Sequence, residues 1–280
     1  MSQAPTAPAP SSELKPMTPK EGVFVLHLFY HLNREGWNVL APDEQRAGKE
    51  RLTALLDGLK AREGYQATSF AVVARADFGF MLVGADLHVL QETEKRITAA
   101  LGAGVLIPAY TFFSMTERSE YISSEEEYAA ELKGQGLAED SEDYIKKIAE
   151  FRVRIEKYAK DRLYPTIPAW EFISFYPMSK RRNVDQNWFS LPHGARKELM
   201  KTHATTGRKF SGRILQIITG STGLDDWEWG VTLFAHDPYE IKAIVYEMRF
   251  DEVSARYAEF GEFYNGIVLA PAALFERVGI

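Results

Sequence analysis

Three side chains capable of redox or ligand chemistry lie on successive predicted elements within residues 174–229. Tyr176 carries an oxidisable phenol, His203 an imidazole that can bind a metal, and Gln216 an amide inside the apolar run ILQII. Basic residues of a kind that bind carboxylates separate them, beginning with KRR at 180–182. This combination predicts a buried, redox-active ligand that carries several acidic groups.

His203 follows Leu199 at helical spacing, on a helix predicted to end near Gly207. One interpretation is a core or helix-end histidine whose ring is satisfied within the protein. The other is an axial ligand of heme iron, for which a neutral imidazole is well suited. The remaining histidines form no H-x-x-H or H-E-x-x-H pattern, which argues against a site with several histidine ligands. One histidine suffices where a cofactor supplies four more ligands.

Tyr176 lies in a predicted strand, and Lys180, four residues further on, points to the same face. The tyrosine is interpreted either as packing or as a phenol held against an anionic group. Gln216 shares a face with Ile214 and Ile218 and is predicted to be buried. A buried amide needs a hydrogen-bond partner, which is either the backbone or a ligand.

Three arginines near these residues receive different interpretations. Arg181 and Arg182 are predicted to form a solvated turn. Arg249 follows Val245 and Met248 on the last long predicted helix, which predicts partial burial. A buried guanidinium needs an anion or a carboxylate beside it.

The elements that must position these residues repeat one order twice. In the first half, strands are predicted at 23–32, 69–75, 78–84 and 105–115, with helices at 42–62 and 86–101. In the second half, strands are predicted at 170–178, 213–220, 227–235 and 263–270, with helices at 192–205 and 238–258. Each half therefore has the order β-α-β-β-α-β of a ferredoxin-like unit. Packing their exposed sheet faces together predicts a closed or nearly closed barrel with helices outside.

This order divides the chain into four predicted segments. They are a disordered tail at 1–18, an N-terminal unit at 19–118, a charged helical linker at 119–165 and a ligand-binding C-terminal unit at 166–280. Within the linker, an amphipathic helix is predicted around 144–160.

Composition excludes several classes of protein. The chain has 280 residues, a net charge of −6 and no cysteine. The acidic balance argues against a general nucleic-acid binder, and the lack of thiols excludes disulfides and thiolate metal sites. No apolar run reaches the roughly 18–20 residues of a membrane span, and the N-terminus has no signal-peptide pattern. We therefore expect a cytoplasmic protein.

Four motifs in the second half resemble the chlorite dismutase-like superfamily, whose members are dimeric α+β barrels, and within it the coproheme decarboxylase branch. The motifs are Y-P-M-S-K, L-M-x-x-H-x-x-x-G-R, Q-I-I-T-G-S-x-G-L-D-D-W-E-W-G-V-T-L-F-A and Y-E-M-R-F-D-E-x-S-A-R-Y-A-E-F-G. They cover residues 170–266 densely, whereas residues 19–118 agree in element order and size. The implied fold is α+β, with two ferredoxin-like units forming a dimeric α+β barrel within one chain.

The resemblance implies roles for particular residues. His203 corresponds to the proximal iron ligand, Tyr176 to the catalytic tyrosine and Gln216 to the distal residue. The implied propionate contacts and pocket-lining residues are Tyr144, Arg162, Met178, Lys180, Trp229, Arg249 and Ser254. Chlorite-splitting members carry an arginine at the distal position, so the neutral Gln216 favours decarboxylation.

The implied reaction is a hydrogen-peroxide-dependent decarboxylation of iron coproporphyrin III (coproheme), which is both substrate and cofactor. Two propionates become vinyl groups and give heme b, through a three-propionate intermediate and a radical on Tyr176. Lys180 helps to present a reactive propionate. A homopentamer is also implied, and ferrochelatase is considered as a transient partner.

Three alternatives stay open at this point. The first is a chlorite-splitting or peroxidase-like enzyme that holds heme b permanently. The second is a non-catalytic heme-binding carrier or sensor, against which Tyr176 and Lys180 argue because a carrier needs no oxidisable phenol beside the propionates. The third is a ferredoxin-like module with a purely structural role.

Overall fold

Apolar runs rich in β-branched and aromatic residues form the strands of the first half, and amphipathic helices connect them. The protein is described from a computed structural model that covers residues 15–280. Its first-half elements are β1 Phe24–Leu32, α1 Arg34–Asn38, α2 Pro42–Lys60, β2 Gln66–Val73, β3 Phe78–Gly84, α3 Leu87–Ala100 and β4 Leu106–Met115. The predicted strands and long helices are all present, and the five-residue α1 is additional. Pro42 and two acids open α2, as expected for a helix N-terminus.

The tail predicted at 1–18 lies mostly outside the described residues. In its described part, the N–H of Met17 donates to Asp86 Oδ1 at 3.1 Å, and the Met17 carbonyl accepts from the N–H of Leu87 at 3.0 Å. The chain is therefore tied to the start of α3 from Met17 onward, two residues before the predicted start of the first unit.

Two helices occupy the segment between the halves, α4 Glu125–Gly134 and α5 Glu142–Leu163. The predicted helix around 144–160 lies within α5, and α4 was not predicted. Serine side chains cap both helices: Ser124 accepts from the N–H of Glu127, and Ser141 plays the same part for α5.

The second half contains a break that the sequence analysis missed. Its elements are β5 Phe172–Lys180, β6 Arg182–Asn183, β7 Gln186–Asn187, α6 His193–Arg208, β8 Leu215–Gly220, β9 Trp229–Ala235, α7 Pro238–Met248, α8 Glu252–Tyr257, β10 Ala258–Phe260, β11 Tyr264–Val268 and α9 Pro271–Val278. The continuous helix predicted at 238–258 is wrong. Asp251 starts a new helix by accepting from the N–H of Val253 at 3.0 Å, because an aspartate caps the backbone as readily as it joins a helix.

Eight strands close into an antiparallel barrel in the order β2-β3-β1-β4-β8-β9-β5-β11, and β11 returns to β2. Each half contributes its strands in the same internal order, second-third-first-fourth. The fourth strand of each half pairs with the second strand of the other, although β4 and β8 share only the pair Met115 and Gly220. Strand β10 adds to the end of β5. The α+β class is as predicted, and the strands form one large antiparallel sheet.

Apolar side chains fill the inside of the barrel and both outer faces. Aromatic rings dominate the inside, among them Phe29, Phe70 and Phe175. The outer face of the first half is covered by α2, α3 and the unpredicted α9, and the outer face of the second half packs against α7. None of the described helices combines the length and hydropathy needed to cross a membrane.

Candidate functional site

The outer sheet face of the second half collects most of the candidate residues. Along β5, alternate residues Tyr176, Met178 and Lys180 point to one face. In the antiparallel register, Met178 lies opposite Trp229 on β9. Gln216 on β8 lies opposite Leu233, which is on the same face of β9 as Trp229. Five predicted site residues therefore share one face of the barrel wall.

The phenol of Tyr176 is buried, with 8% of the residue exposed. Its ring stacks on Phe263 at a centroid distance of 4.4 Å and lies 5.8 Å from the ring of Phe260. Burial raises the pKa of this phenol well above its ordinary value, while the positive charge of Arg249 acts to lower it. Its hydroxyl makes no hydrogen bond to any of residues 15–280. The site thus holds a protonated phenol whose O–H is available to a ligand.

Lys180 is also buried, with 8% of the residue exposed, and its ammonium lies 4.5 Å above the ring of Trp188. Burial lowers the pKa of Lys180 to about 8, although the charges of Asp251 and Glu228 act to raise it. Those carboxylates pair instead with a histidine and with Arg182, so Lys180 has no ion-pair partner among the described residues. A buried cation without a partner is expected where an anionic ligand binds.

His203 on α6 is oriented by a carboxylate. Its Nδ1 lies 2.5 Å from Asp251 Oδ2, and the same oxygen accepts from Ser254 Oγ at 3.2 Å. We assign the ring proton to Nδ1 because the carboxylate can only accept, which leaves the lone pair of Nε2 free for a metal. Burial acts to raise the pKa of Asp251, but the hydrogen bonds from His203, Val253 and Ser254 outweigh it and hold this pKa below its ordinary value.

Asp251 is a candidate site residue that the sequence did not lead us to expect. Its signal was present as D-E-V-S, an acid two residues before a helical N–H. The prediction of one long helix across 238–258 concealed it.

An open cleft of about 610 Å³ lies beside these residues. It is lined by Arg181, Arg249, Ser254, Ala255, Ala258, Glu259, Phe260, Gly261 and Phe263. Two arginines differ from their sequence-based predictions. Arg249 is exposed rather than partly buried, because the helix ends at Met248 and leaves its guanidinium 4.0 Å above the ring of Phe260. Arg181 lines this cleft and does not belong to a purely solvated turn.

The prediction that Gln216 is buried is also wrong. Its face is as predicted, with Ile214 and Ile218 in the apolar cluster beneath α7, but the glutamine itself is exposed. The Nε2 atom of Gln216 lies near α6, because a Cβ atom added at Gly207 would lie 3.9 Å from it. The amide therefore stands between β8 and the end of the helix that carries His203, without a hydrogen bond to any described residue.

Two predicted residues are not brought into this cluster. Tyr144 and Arg162 lie on α5, and neither lines the cleft. The Nε atom of Arg162 is buried and has no hydrogen-bond partner among the described residues. Their part in the site stays a prediction.

Helix α6 covers its sheet unusually loosely. None of its residues is buried, whereas its counterpart α2 buries four, including Leu52, Leu56 and Leu59. The apolar pair Leu199 and Met200 is only half-buried. Since a surface helix of this length normally buries an apolar stripe, the chain leaves the face between α6 and the sheet accessible to a ligand.

The donor set fits one kind of ligand. The Nε2 of His203 is free for a metal, and the described residues form no cluster of metal-ligating side chains, so the other ligands would come with the metal, as in a metalloporphyrin. Two cations without ion-pair partners, Lys180 and Arg249, suit carboxylate groups on its edge. The unbonded phenol of Tyr176 adds a group that can give up a hydrogen atom.

Comparisons with known proteins agree with one another. The family described as Chlorite dismutase matches residues 45–269. A coproheme decarboxylase of Oceanobacillus iheyensis is 34% identical over 264 residues, which cover 93% of this chain and 97% of that protein. The solved structure of a heme-binding protein from Thermus thermophilus is 36% identical with a TM-score of 0.77, over 95% of this chain and 98% of the other. A mutant chlorite dismutase from Candidatus Nitrospira defluvii, at 14% identity and a TM-score of 0.69 over 93% and 97% of the chains, resembles this protein in fold alone.

Proposed function

Because the chain belongs to the chlorite dismutase family, we propose that it is a coproheme decarboxylase, an enzyme that converts iron coproporphyrin III into heme b with hydrogen peroxide. Two propionates of the substrate become vinyl groups, one after the other, by way of a three-propionate intermediate. The relative from Oceanobacillus iheyensis, which carries that name and aligns over 93% of this chain, supports the choice within the family. The heme-binding relative from Thermus thermophilus supports a porphyrin ligand.

One observation carries the proposal: the buried phenol of Tyr176 has no hydrogen-bond partner within residues 15–280, and it shares its face with the unpaired Lys180. The ring of Tyr176 is packed, but its hydroxyl is not among the fully buried polar atoms without a partner, so the O–H faces space that a ligand can enter. Beside cations without partners, the same hydroxyl can meet a propionate. The neutral Gln216, in place of the arginine of chlorite-splitting enzymes, also favours decarboxylation.

The chain's own groups have distinct parts. His203 binds the iron through Nε2, and Asp251 keeps the proton on Nδ1 and fixes the ring. Lys180 presents a reactive propionate to Tyr176, while Arg249 holds a propionate that persists; Ser254 would join it by turning its hydroxyl away from Asp251. The wider set implied by the resemblance, Tyr144 and Arg162 among them, would hold the remaining edge.

The bound iron porphyrin supplies the oxidising equivalents of peroxide. Tyr176 gives up an electron and the proton of its hydroxyl, and the resulting phenoxyl radical takes a hydrogen atom from the β-carbon of a propionate held against it. Loss of a second electron and of carbon dioxide leaves the vinyl group. Each propionate thus loses two electrons and one proton. Those electrons, that proton and one more proton from the medium convert one peroxide into two waters.

The test is a stepwise conversion followed by mass spectrometry. The protein is loaded anaerobically with iron coproporphyrin III, and peroxide is added in small portions. We expect the three-propionate species and then heme b, at about one peroxide for each carbon dioxide. Tyr176→Phe should bind the substrate with a similar absorption spectrum yet leave it intact. Tyr246→Phe is the matched control, because Tyr246 is 65% exposed on α7.

Other outcomes separate the alternatives. A porphyrin that keeps all four propionates in the wild-type protein would indicate a carrier. Rapid oxygen evolution on adding chlorite to the heme b-loaded protein would indicate a chlorite-splitting enzyme. Full decarboxylation by Tyr176→Phe would refute the radical role of the phenol while leaving the overall reaction in place.

We propose a homopentamer, which analytical ultracentrifugation tests directly, and a cytoplasmic enzyme that receives its substrate from a ferrochelatase. A monomer at micromolar concentration would contradict the assembly.

A further inference from the structure

Arg181 occupies a position that its sequence context does not predict. It follows β5 directly and lies between two other basic residues, a pattern typical of a solvated turn. In the structure it is half-buried and lines the same cleft as Arg249 and Ser254. The chain therefore places a second guanidinium in the cleft where the proposed function has the persistent propionates.

Several contacts fix this arginine in place. Its backbone N–H donates to the carbonyl of Tyr257 at 2.8 Å, and its carbonyl accepts from the N–H of Trp188 at 3.0 Å. Its Nη1 donates to Gln186 Oε1 at 3.0 Å. Gln186 lies on β7, which pairs with β6 in a short hairpin directly after Arg181. The hairpin thus holds one edge of the Arg181 guanidinium. The other N–H groups of this guanidinium make no hydrogen bond to the described residues.

The charge in the cleft suits a carboxylate. Arg181 and Arg249 are its cations, and Glu259 is its one acidic residue among those lining it. Neither arginine forms an ion pair with Glu259 or with any other described carboxylate. A guanidinium fixed in advance loses little freedom when it binds an anion, so its contribution to affinity is larger than that of a mobile side chain.

Resting on the proposed function, we propose that Arg181 binds a porphyrin carboxylate that survives the reaction, and that Gln186 positions its guanidinium for this contact. Arg181 would then act on affinity for substrate and product alike. It would not change the rate of the chemical step, because its carboxylate is not the one that is lost.

The neighbouring Arg182 provides a matched control. Its side chain is 69% exposed, lies 4.0 Å from Glu228 and does not line this cleft. The two variants Arg181→Gln and Arg182→Gln remove the same charge from adjacent positions. A difference between them therefore reports the cleft rather than the general field of the protein.

The experiment measures equilibrium binding of iron coproporphyrin III and, separately, of heme b by absorption titration, with thermal melts to verify folding. For Arg181→Gln we expect both dissociation constants to rise by about tenfold, the lower end for a charge-assisted hydrogen bond because the site is open to water. Arg181→Lys should recover part of the loss. Arg182→Gln should stay within about twofold of wild type.

A double-mutant cycle tests the positioning role of Gln186. Gln186→Ala alone should weaken binding of both porphyrins by about threefold, yet cause no further loss in the Arg181→Gln background. Additive losses would refute positioning and leave only direct binding by Arg181.

The outcomes distinguish this inference from the function on which it rests. If the wild-type protein binds both porphyrins and Arg181→Gln binds them as tightly as Arg182→Gln does, the inference is overturned and the proposed function is not. Weakened coproheme binding with unchanged heme b binding also overturns it, because Arg181 would then hold a carboxylate that is lost. A wild-type protein that binds neither porphyrin overturns the inference and the proposed function together.

Discussion

Replacing Lys180 with methionine should make the porphyrin-free protein more stable at neutral pH while impairing the proposed reaction. Lys180 is a buried residue without an ion-pair partner among the described residues, and methionine has a similar length without the charge. A functional residue that lowers the stability of its own fold is expected at a binding site whose ligand is absent.

The structure gives the size of the effect. Burial lowers the pKa of Lys180 from 10.5 to about 8, and each pKa unit corresponds to about 1.4 kcal/mol, so holding the charge there costs about 3 kcal/mol. The variant also loses the contact of the ammonium with Trp188 at 4.5 Å, which is worth about 1 kcal/mol. The net expectation is a gain of about 2 kcal/mol in the free energy of unfolding.

The sign of the pH dependence follows from the same values. Below a pH of about 8, Lys180 is charged in both the folded and the unfolded chain, so the cost is fully present. Between about 8 and 10.5 the unfolded chain binds more protons than the folded one, and the wild type gains stability as the pH rises. The advantage of the variant should therefore be largest near pH 7 and vanish near pH 10.5.

The measurement is urea denaturation of both proteins at pH 7 and pH 10, with the difference between them taken at each pH. Lys209→Met is the control, because Lys209 is 59% exposed in an ion pair with Glu247 and should change stability by less than about 0.5 kcal/mol at either pH. A Lys180→Met protein that is less stable than wild type at pH 7, or whose advantage does not change with pH, would refute the reasoning.

Three further substitutions test the site and the barrel. Asp251→Asn removes the charged acceptor of His203 Nδ1 but can still cap α8. We expect the free energy of unfolding to fall by about 1–2 kcal/mol and the absorption spectrum of bound iron porphyrin to shift. An unchanged spectrum would count against an oriented His203 ligand. Gly79→Ala places a Cβ 2.0 Å from the Phe70 ring, so denaturation should reveal a loss of roughly 2–3 kcal/mol. On α2, the Cβ of Gly58→Ala meets nothing within 4 Å, so this variant should raise the free energy of unfolding by up to about 1 kcal/mol. Equal effects of Gly79→Ala and Gly58→Ala on stability would contradict this reasoning.

Much of the fold could be predicted because its determinants are local. The long apolar run and aromatic content of 23–32 anticipate β1 at Phe24–Leu32, and the proline and acids at 42–44 mark the start of α2. The positions of Tyr176, Met178 and Lys180 on one face follow from the period of a strand. Local patterns of this kind depend on no distant contact.

The errors arise where side-chain contacts, some of them distant in the sequence, decide the outcome against the local pattern. The break before α8 occurs where Asp251 caps the N–H of Val253 and also accepts from His203, 48 residues earlier, whereas propensity alone favours a continuous helix there. Gln216 lies on the predicted face, but its exposure depends on how closely α6 covers the strand. The sequence around Arg181 is typical of a turn, but hydrogen bonds to the Gln186 side chain and the Tyr257 backbone hold Arg181 at the cleft.

The duplicated architecture explains why only one half offers a site. In the first half, α2 buries leucines against the sheet and α9 adds Leu274 and Phe275 to the same cluster, so the outer face is filled with apolar side chains. In the second half, α6 buries no residue, and the corresponding face carries Tyr176 and Lys180. The desolvated charge of Lys180 lowers the stability of the empty fold and α6 contributes little packing to offset it, so we expect ligand binding to stabilise the second half far more than the first. Amide hydrogen exchange with and without iron coproporphyrin III measures this directly. Protection of backbone amides should rise in α6 and β5 and stay unchanged in the strands of the first half. A uniform rise across both halves would show that the two faces are not independent.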